Sequence, residues 1–151
     1  MINGLYETHV QVSSLERSID FYKNVLELQL AHIEEKRRIA FFWIGKEKEY
    51  MLGLWETADG EIDKRHFAFQ CSADDILKKS ADWLIKKELK PYNFLKDGTE
   101  RPMVFAWMPA IAIYFNDPDG NVLEFISVLE GKAKPELGVI SYDEWMKSAD
   151  S

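Results

Sequence analysis

One cysteine, Cys71, stands among 151 residues. A disulfide within the chain is excluded, and such cysteine usage fits a reducing, cytoplasmic compartment. Basic blocks are missing: 19 Lys and Arg face 26 Asp and Glu, for a net charge of −7. Generic binding to nucleic acid or to an anionic membrane is not expected of that balance. Long apolar runs are missing too. The longest, Met103 to Phe115, is interrupted by Pro109 and is too short to span a bilayer. The opening Met1-Ile2-Asn3-Gly4 has neither the charged nor the apolar region of a secretory leader. No GxxxxGK or GxGxxG loop is present to cradle a phosphate. No Gly-x-Ser-x-Gly elbow offers a serine nucleophile, and no Cys-x-x-Cys pair supports a zinc ribbon or redox couple. What remains is ordinary globular material, 46% apolar and 30% charged, long enough for one domain or two small ones sharing a core.

Residues 4–12 alternate. Leu5, Glu7, His9 and Gln11 share one face; Tyr6, Thr8, Val10 and Val12 share the other. The period predicts a strand. A helix should follow, with Ser13 and Glu16 as a capping box and Leu15, Ile19, Tyr22 and Leu26 at helical spacing. Strands are expected near 27–34, 38–45 and 50–56, then a polar linker over 57–65. Residues 66–71 repeat the opening pattern, with His66, Ala68 and Gln70 on one face and Phe67, Phe69 and Cys71 on the other. Ser72 should start a second helix carrying Leu77, Ala81 and Leu84. A short strand is expected near 89–95, a loop over 96–102, and a hairpin of 111–116 with 121–127 around Asp117-Pro118-Asp119-Gly120. The tail, 128–151, carries a second capping box, Ser141 with Glu144, and should form a short helix.

The order reads as βαβββ, linker, βαβββ, an internal repeat of elements. Gln11-Val12-Ser13 aligns with Gln70-Cys71-Ser72, which sets Glu7 on His66. In both leading strands the apolar face is the natural seat for the helices. The polar faces must then meet water, another sheet or a ligand; a sheet with one wet face is normal. If they line one concave surface, two imidazoles and two carboxylates converge there, and a cation would relieve their repulsion.

Three segments make the chain resemble the vicinal oxygen chelate superfamily, which includes glyoxalase I, fosfomycin-resistance thiol transferases, bleomycin-resistance proteins and extradiol dioxygenases. They are Val12-Ser13-Ser14-Leu15-Glu16-Arg17-Ser18-Ile19-Asp20-Phe21-Tyr22, His66-Phe67-Ala68-Phe69, and Tyr114-Phe115-Asn116-Asp117-Pro118-Asp119-Gly120-Asn121-Val122-Leu123-Glu124-Phe125. The resemblance implies an α+β fold. Two βαβββ modules, 4–56 and 66–127, would form one domain over 4–127, an open, curved, barrel-like mixed sheet with helices on its outer face. It also implies a divalent metal (Mn, Fe, Ni, Zn or Mg) held by the first and last strands of the modules. His66 and Glu124 carry the second module's ligand positions. In the first module the ligand position falls on Glu7, with His9 possible in its place. The fourth ligand of glyoxalase I falls on Gly53, and Glu56 nearby should point to the opposite face.

Glu124 and Glu7 are the candidate proton-moving carboxylates. His9, Gln11, Trp55, Gln70 and Tyr114 are candidate substrate contacts. Trp43 and Trp107 read more simply as core, His32 as a solvated surface histidine, and Cys71 as a buried, inert thiol. The implied function is a metal-dependent enzyme acting on a small substrate that chelates the metal through adjacent oxygens, by lyase, isomerase or thiol-transfer chemistry. Two alternatives stand beside it. One is a metal-free binding protein of the bleomycin-resistance kind. The other is an extradiol-type dioxygenase, which requires His9 in place of Glu7. A tail with Lys132 and Lys134, where fosfomycin enzymes carry arginine, weighs against fosfomycin as substrate. The resemblance further implies a homodimer.

Overall fold

The structure is a computed structural model describing residues 1–149. It is an α+β fold with two open mixed sheets, of four and five strands, and few helices. Contacts divide the chain into two compact units. Unit 1 comprises residues 1–65 together with Asp117–Asn121, and unit 2 comprises residues 66–116 and those from Val122 on.

Unit 1 begins with β1 (Glu7–Val12), whose apolar face buries Val10 and Val12. Helix α1 (Leu15–Asp20) follows and widens into a π-helical turn, Phe21–Val25, where Leu26 N donates to Phe21 O at 2.9 Å. Leu15, Tyr22 and Leu26 are buried, as their spacing requires. Next come β2 (Gln29–Glu34), β3 (Ile39–Ile44) and β4 (Tyr50–Glu56). The strand order is β1-β4-β3-β2, with β1 parallel to β4 and the other pairs antiparallel. Helix α1 packs on β3 and β4.

The expected Ser13–Glu16 capping box does not form. Ser14 is the N-cap, its hydroxyl accepting from Arg17 N at 3.4 Å. Ser13 donates its amide to Asp119 at 3.0 Å and its hydroxyl to the same carboxylate. Glu16 pairs with Arg38 at 2.5 Å. The first amide of α1, Leu15 N, instead meets the carboxylate of Glu56 at 2.7 Å. Ionised carboxylates make stronger bonds to orphan helix amides than hydroxyls do, so charges brought from elsewhere in the chain displace the local box.

The turn Asp117–Asn121 completes unit 1. Gly120 takes φ 83°, a left-handed position that glycine adopts without penalty. Asp117 accepts from the Tyr22 hydroxyl at 2.9 Å, from Asn121 Nδ2 at 2.8 Å and from two backbone amides. Asn121 Nδ2 also donates to Gln11 O at 3.1 Å.

Unit 2 begins with β5 (His66–Gln70). The helical pattern from Ser72 is broken into α2 (Ala73–Lys78) and α3 (Ser80–Lys86) at Lys79, whose φ is −130°. At the break Ser80 Oγ bonds back to Ile76 O at 2.6 Å, a contact that bends helices. The strand expected near 89–95 reduces to a single bridge, Tyr92 to Tyr114. Pro91 lacks an N–H for a ladder, and Asn93–Lys96 closes as a turn with Lys96 at φ 49°. The missing strand is supplied by β6 (Met103–Phe105), inside the apolar run. The expected hairpin forms as β7 (Ala110–Asn116) and β8 (Val122–Val128). The tail adds β9 (Val139–Ser141) and α4 (Tyr142–Ala149). Here the capping box is real, with Ser141 N donating to Glu144 Oε2 at 2.8 Å and Glu144 N donating to Ser141 Oγ at 3.2 Å. The strand order is β5-β8-β7-β6-β9, with β5 parallel to β8. Among the described residues no helix is long and apolar enough to cross a membrane.

Candidate functional site

In unit 2, β5 and β8 run parallel with His66 opposite Val122 and Ala68 opposite Glu124. Residues two apart on a strand share a face, so His66 and Glu124 project from the same side of the sheet. His66 Nε2 lies 2.9 Å from Glu124 Oε2. The other ring nitrogen, Nδ1, is 3.0 Å from the Val122 carbonyl and donates its proton there. That bond leaves Nε2 facing the carboxylate, carrying either a proton shared with Glu124 or a lone pair. A lone pair and a carboxylate at that separation repel unless a proton or a cation lies between them.

Glu124 is buried, its side chain 5% exposed, and its Oε1 has no hydrogen-bond partner. Burial raises its carboxyl above the usual range; the His66 charge and hydrogen bond, and then Tyr114, pull it back. Tyr114 stands opposite Glu124 on β7, and burial and the Glu124 charge push its phenol well up. The Tyr114 ring stacks on Tyr92 at 5.7 Å and 20°. An imidazole nitrogen and a buried carboxylate with an orphan oxygen are two donors that suit a borderline divalent cation, with the Val122 carbonyl fixing the far side of the ring. Among the described residues no group of three or more His, Cys, Asp or Glu side chains is gathered to hold one.

In unit 1 the corresponding parallel pair sets Glu7 opposite Met51, His9 opposite Gly53 and Gln11 opposite Trp55. Gly53 therefore occupies on β4 the register position that Glu124 occupies on β8. A Cβ at Gly53 would lie 2.2 Å from His9 Nδ1, so the imidazole fills the space that a side chain there would need. Trp55 Nε1 donates to His9 Nδ1 at 2.5 Å. Indole N–H is only a donor, so Nδ1 accepts and the neutral ring carries its proton on Nε2. That nitrogen faces Glu7 Oε2 at 3.4 Å. Both nitrogens of His9 are thus engaged, the second by Glu7, whose carboxylate is the anionic group of the row.

The other expected residues divide. Trp55 is 43% exposed, shares the face of Gly53 as its spacing requires, and lines a unit 1 cleft of about 440 Å³ with His9, Gln11 and Arg65. Gln11 spends its Oε1 on Asp63 N at 2.7 Å, tying down the linker. Gln70 is exposed opposite Ile126, four residues along β5 from His66. Trp107, read as core, is exposed, and Trp43 is half-buried on the face of Glu7. His32 is exposed and stacks on Phe41. Cys71 is half-buried, and burial pushes its thiol up to about 11, far from thiolate chemistry at neutral pH. Glu56 points to the opposite face from Gly53 and is committed to Leu15 N and Arg38, at 2.7 and 2.9 Å. Sequence reasoning missed Tyr92. It reaches Tyr114 through a single isolated bridge, which no periodicity in the sequence announces.

Residues 4–125 match the family described as Glyoxalase/Bleomycin resistance protein/Dioxygenase superfamily. The chain is 31% identical over 123 residues to metallothiol transferase FosB of Lysinibacillus sphaericus (strain C3-41), covering 76% of this chain and 74% of that protein. It is 28% identical over 133 residues to metallothiol transferase FosB of Staphylococcus epidermidis, covering 82% and 83%. Among solved structures, an integron cassette protein from the mobile metagenome of the Halifax Harbour sewage outfall superposes with a TM-score of 0.71 at 28% identity, covering 84% of this chain and 100% of that one.

Proposed function

The chain belongs to the glyoxalase/bleomycin resistance protein/dioxygenase superfamily, and from that premise we propose that it is a divalent-metal-dependent enzyme of the thiol-transferase or lyase kind. The observation that carries the proposal is the His66–Glu124 pair, 2.9 Å apart, with the orphan Oε1 of a buried carboxylate. His66 and Glu124 are the metal ligands of the second module in this reading, and Glu7 is the ligand that the family pattern calls for in the first. Glu7 is preferred to His9 because Trp55 and the ring proton engage both His9 nitrogens. That preference weighs against the dioxygenase alternative, which needs two histidines and one glutamate. The two metallothiol transferases favour thiol transfer within the class.

A bound divalent metal would supply Lewis acidity toward a substrate chelating it through two adjacent oxygens. The chain's own residues do the rest. The Val122 carbonyl orients the His66 ring. The Glu124 carboxylate, whose Oε1 has no hydrogen-bond partner, is suited to take up a proton there and return it. Tyr114, opposite Glu124 on β7, is placed to contact the substrate. A homodimer belongs to the same proposal.

The test is metal content. Protein purified without chelator, or incubated with Mn²⁺, Fe²⁺, Ni²⁺ or Zn²⁺, should hold about one ion per chain by elemental analysis. Glu7→Ala and Glu124→Ala should lose it, and His9→Phe should keep it. Uptake that survives in Glu124→Ala rejects the ligand assignment. No uptake by the unaltered chain returns the reading to a metal-free small-molecule binder.

A further inference from the structure

Beside the His66–Glu124 pair, unit 2 holds a cleft of about 550 Å³ lined by Tyr92, Phe94, Tyr114, His66 and Lys96, among others. We propose that this cleft receives a small organic anion, with a flat unsaturated or aromatic body against the rings and a carboxylate at Lys96. The proposal rests on the metal reading only in making the end near His66 the reacting one.

The ring wall is rigid. Tyr92 N donates to Tyr114 O at 2.9 Å, and Tyr114 N to Tyr92 O at 2.8 Å. The Tyr92 hydroxyl donates to Asn116 Oδ1 at 2.6 Å, which fixes the stacked pair from its far end. Phe94 is 55% exposed and braced edge-on by Phe105 at 5.2 Å. Fixed rings with exposed surface lose little entropy on binding and favour a planar apolar partner.

Glu124, beside the His66 end of the cleft, is paired with that imidazole at 2.9 Å. No carboxylate is among the residues lining the cleft, although the chain as a whole carries −7. Asp97, beside Lys96, is committed elsewhere: it accepts from Thr99 N at 2.9 Å, Thr99 Oγ1 at 2.8 Å and Asn93 Nδ2 at 2.8 Å. Its cationic neighbour is Arg101, at 3.8 Å. Lys96 therefore has no ion-pair partner among the described residues. The same turn holds Asn93 fully buried, and its Oδ1 has no hydrogen-bond partner. Lys96 itself sits at φ 49°, where glycine or asparagine would be less strained. A lysine there, without an ion-pair partner and lining the same cleft as the rings, is suited to meet an anion supplied from outside the chain.

The test uses two probes of one shape, trans-cinnamate and its neutral amide, titrated calorimetrically into the full chain at low ionic strength. Cinnamate should bind tighter by about tenfold or more, the worth of one charge-assisted contact. Lys96→Met should erase that preference and leave the amide unchanged, and Phe94→Ala should weaken both. Lys96 and Phe94 are exposed, so both variants should fold, as far-ultraviolet circular dichroism checks. Equal affinity for the two probes, no binding of either, or a preference that survives in Lys96→Met overturns the proposal. Metal content of the same samples separates the two readings. A Lys96-dependent preference without metal uptake sinks the metal assignment and keeps the cleft; uptake without the preference does the reverse.

Discussion

The imidazole of His9 stands where a side chain at Gly53 would stand. The two residues face each other across the parallel β1–β4 pair, and a Cβ on Gly53 would come within 2.2 Å of Nδ1 and 2.5 Å of Cε1. The matching row of unit 2 is reversed. There the first strand carries the small residue, Ala68, and the last strand carries Glu124. Each row places one polar side chain beside one small one, on opposite strands.

Substituting Gly53→Ala should therefore act on His9 rather than on the β4 backbone. The ring must rotate, breaking the 2.5 Å bond from Trp55. Overpacking of this kind costs about 1–3 kcal/mol. The expected result is a lower urea midpoint with altered Trp55 fluorescence, and metal stoichiometry retained if Glu7 is the ligand. A variant whose His9 resonances in NMR are unmoved would show that the space is not contested.

Tyr22→Phe removes the buried hydroxyl that donates to Asp117 at 2.9 Å. Burial and the Asp117 charge push that phenol far above its ordinary range, so it donates at every pH the fold survives. A hydrogen bond to a charged partner contributes about 1.5–3 kcal/mol. The loss should fall toward the lower figure, because Asn121 and two backbone amides still serve Asp117. Denaturation by urea measures it; no loss of stability would mean those remaining donors suffice.

Arg38→Met should destabilise the protein in a pH-dependent way. Arg38 bonds Glu56 through Nε at 3.0 Å and Nη2 at 2.9 Å, and its guanidinium holds the Glu56 carboxyl below the usual carboxylate range. A depressed folded-state pKa gives stability that is fully present above the unfolded value, about 4.3. It disappears as pH falls through the lower, folded value. The pair is partly exposed and screened by solvent, so the deficit should be small at pH 7 and should shrink below about pH 4. A deficit that stays constant from pH 7 to pH 3 would assign it to lost packing of the arginine stem instead.

Alternation placed Glu7, His9 and Gln11 on one face, and His66 and Gln70 on another, because a period of two survives any tertiary context. The hairpin around Asp117-Pro118-Asp119-Gly120 was equally legible, since its turn chemistry is local. Long-range competition was not. Nothing near Ser13 announces that Asp119 will take its amide, and nothing near Leu15 announces Glu56. Strand β6 was hidden because an apolar run of that length has no internal period. The engagement of both His9 nitrogens depends on β1 and β4 being parallel neighbours in one particular register, which alternation alone does not reveal.

The turn from Asp117 to Asn121 also bears on how the polypeptide is made. Translation delivers the first 65 residues well before this turn emerges from the ribosome. Until it does, Tyr22 has no carboxylate to cover its hydroxyl, Arg17 lacks the counter-charge it meets at 2.8 Å, and the Ser13 amide lacks its acceptor. The early half of the nascent chain must therefore wait for the later half, and a fragment ending at Arg65 would carry those groups unsatisfied.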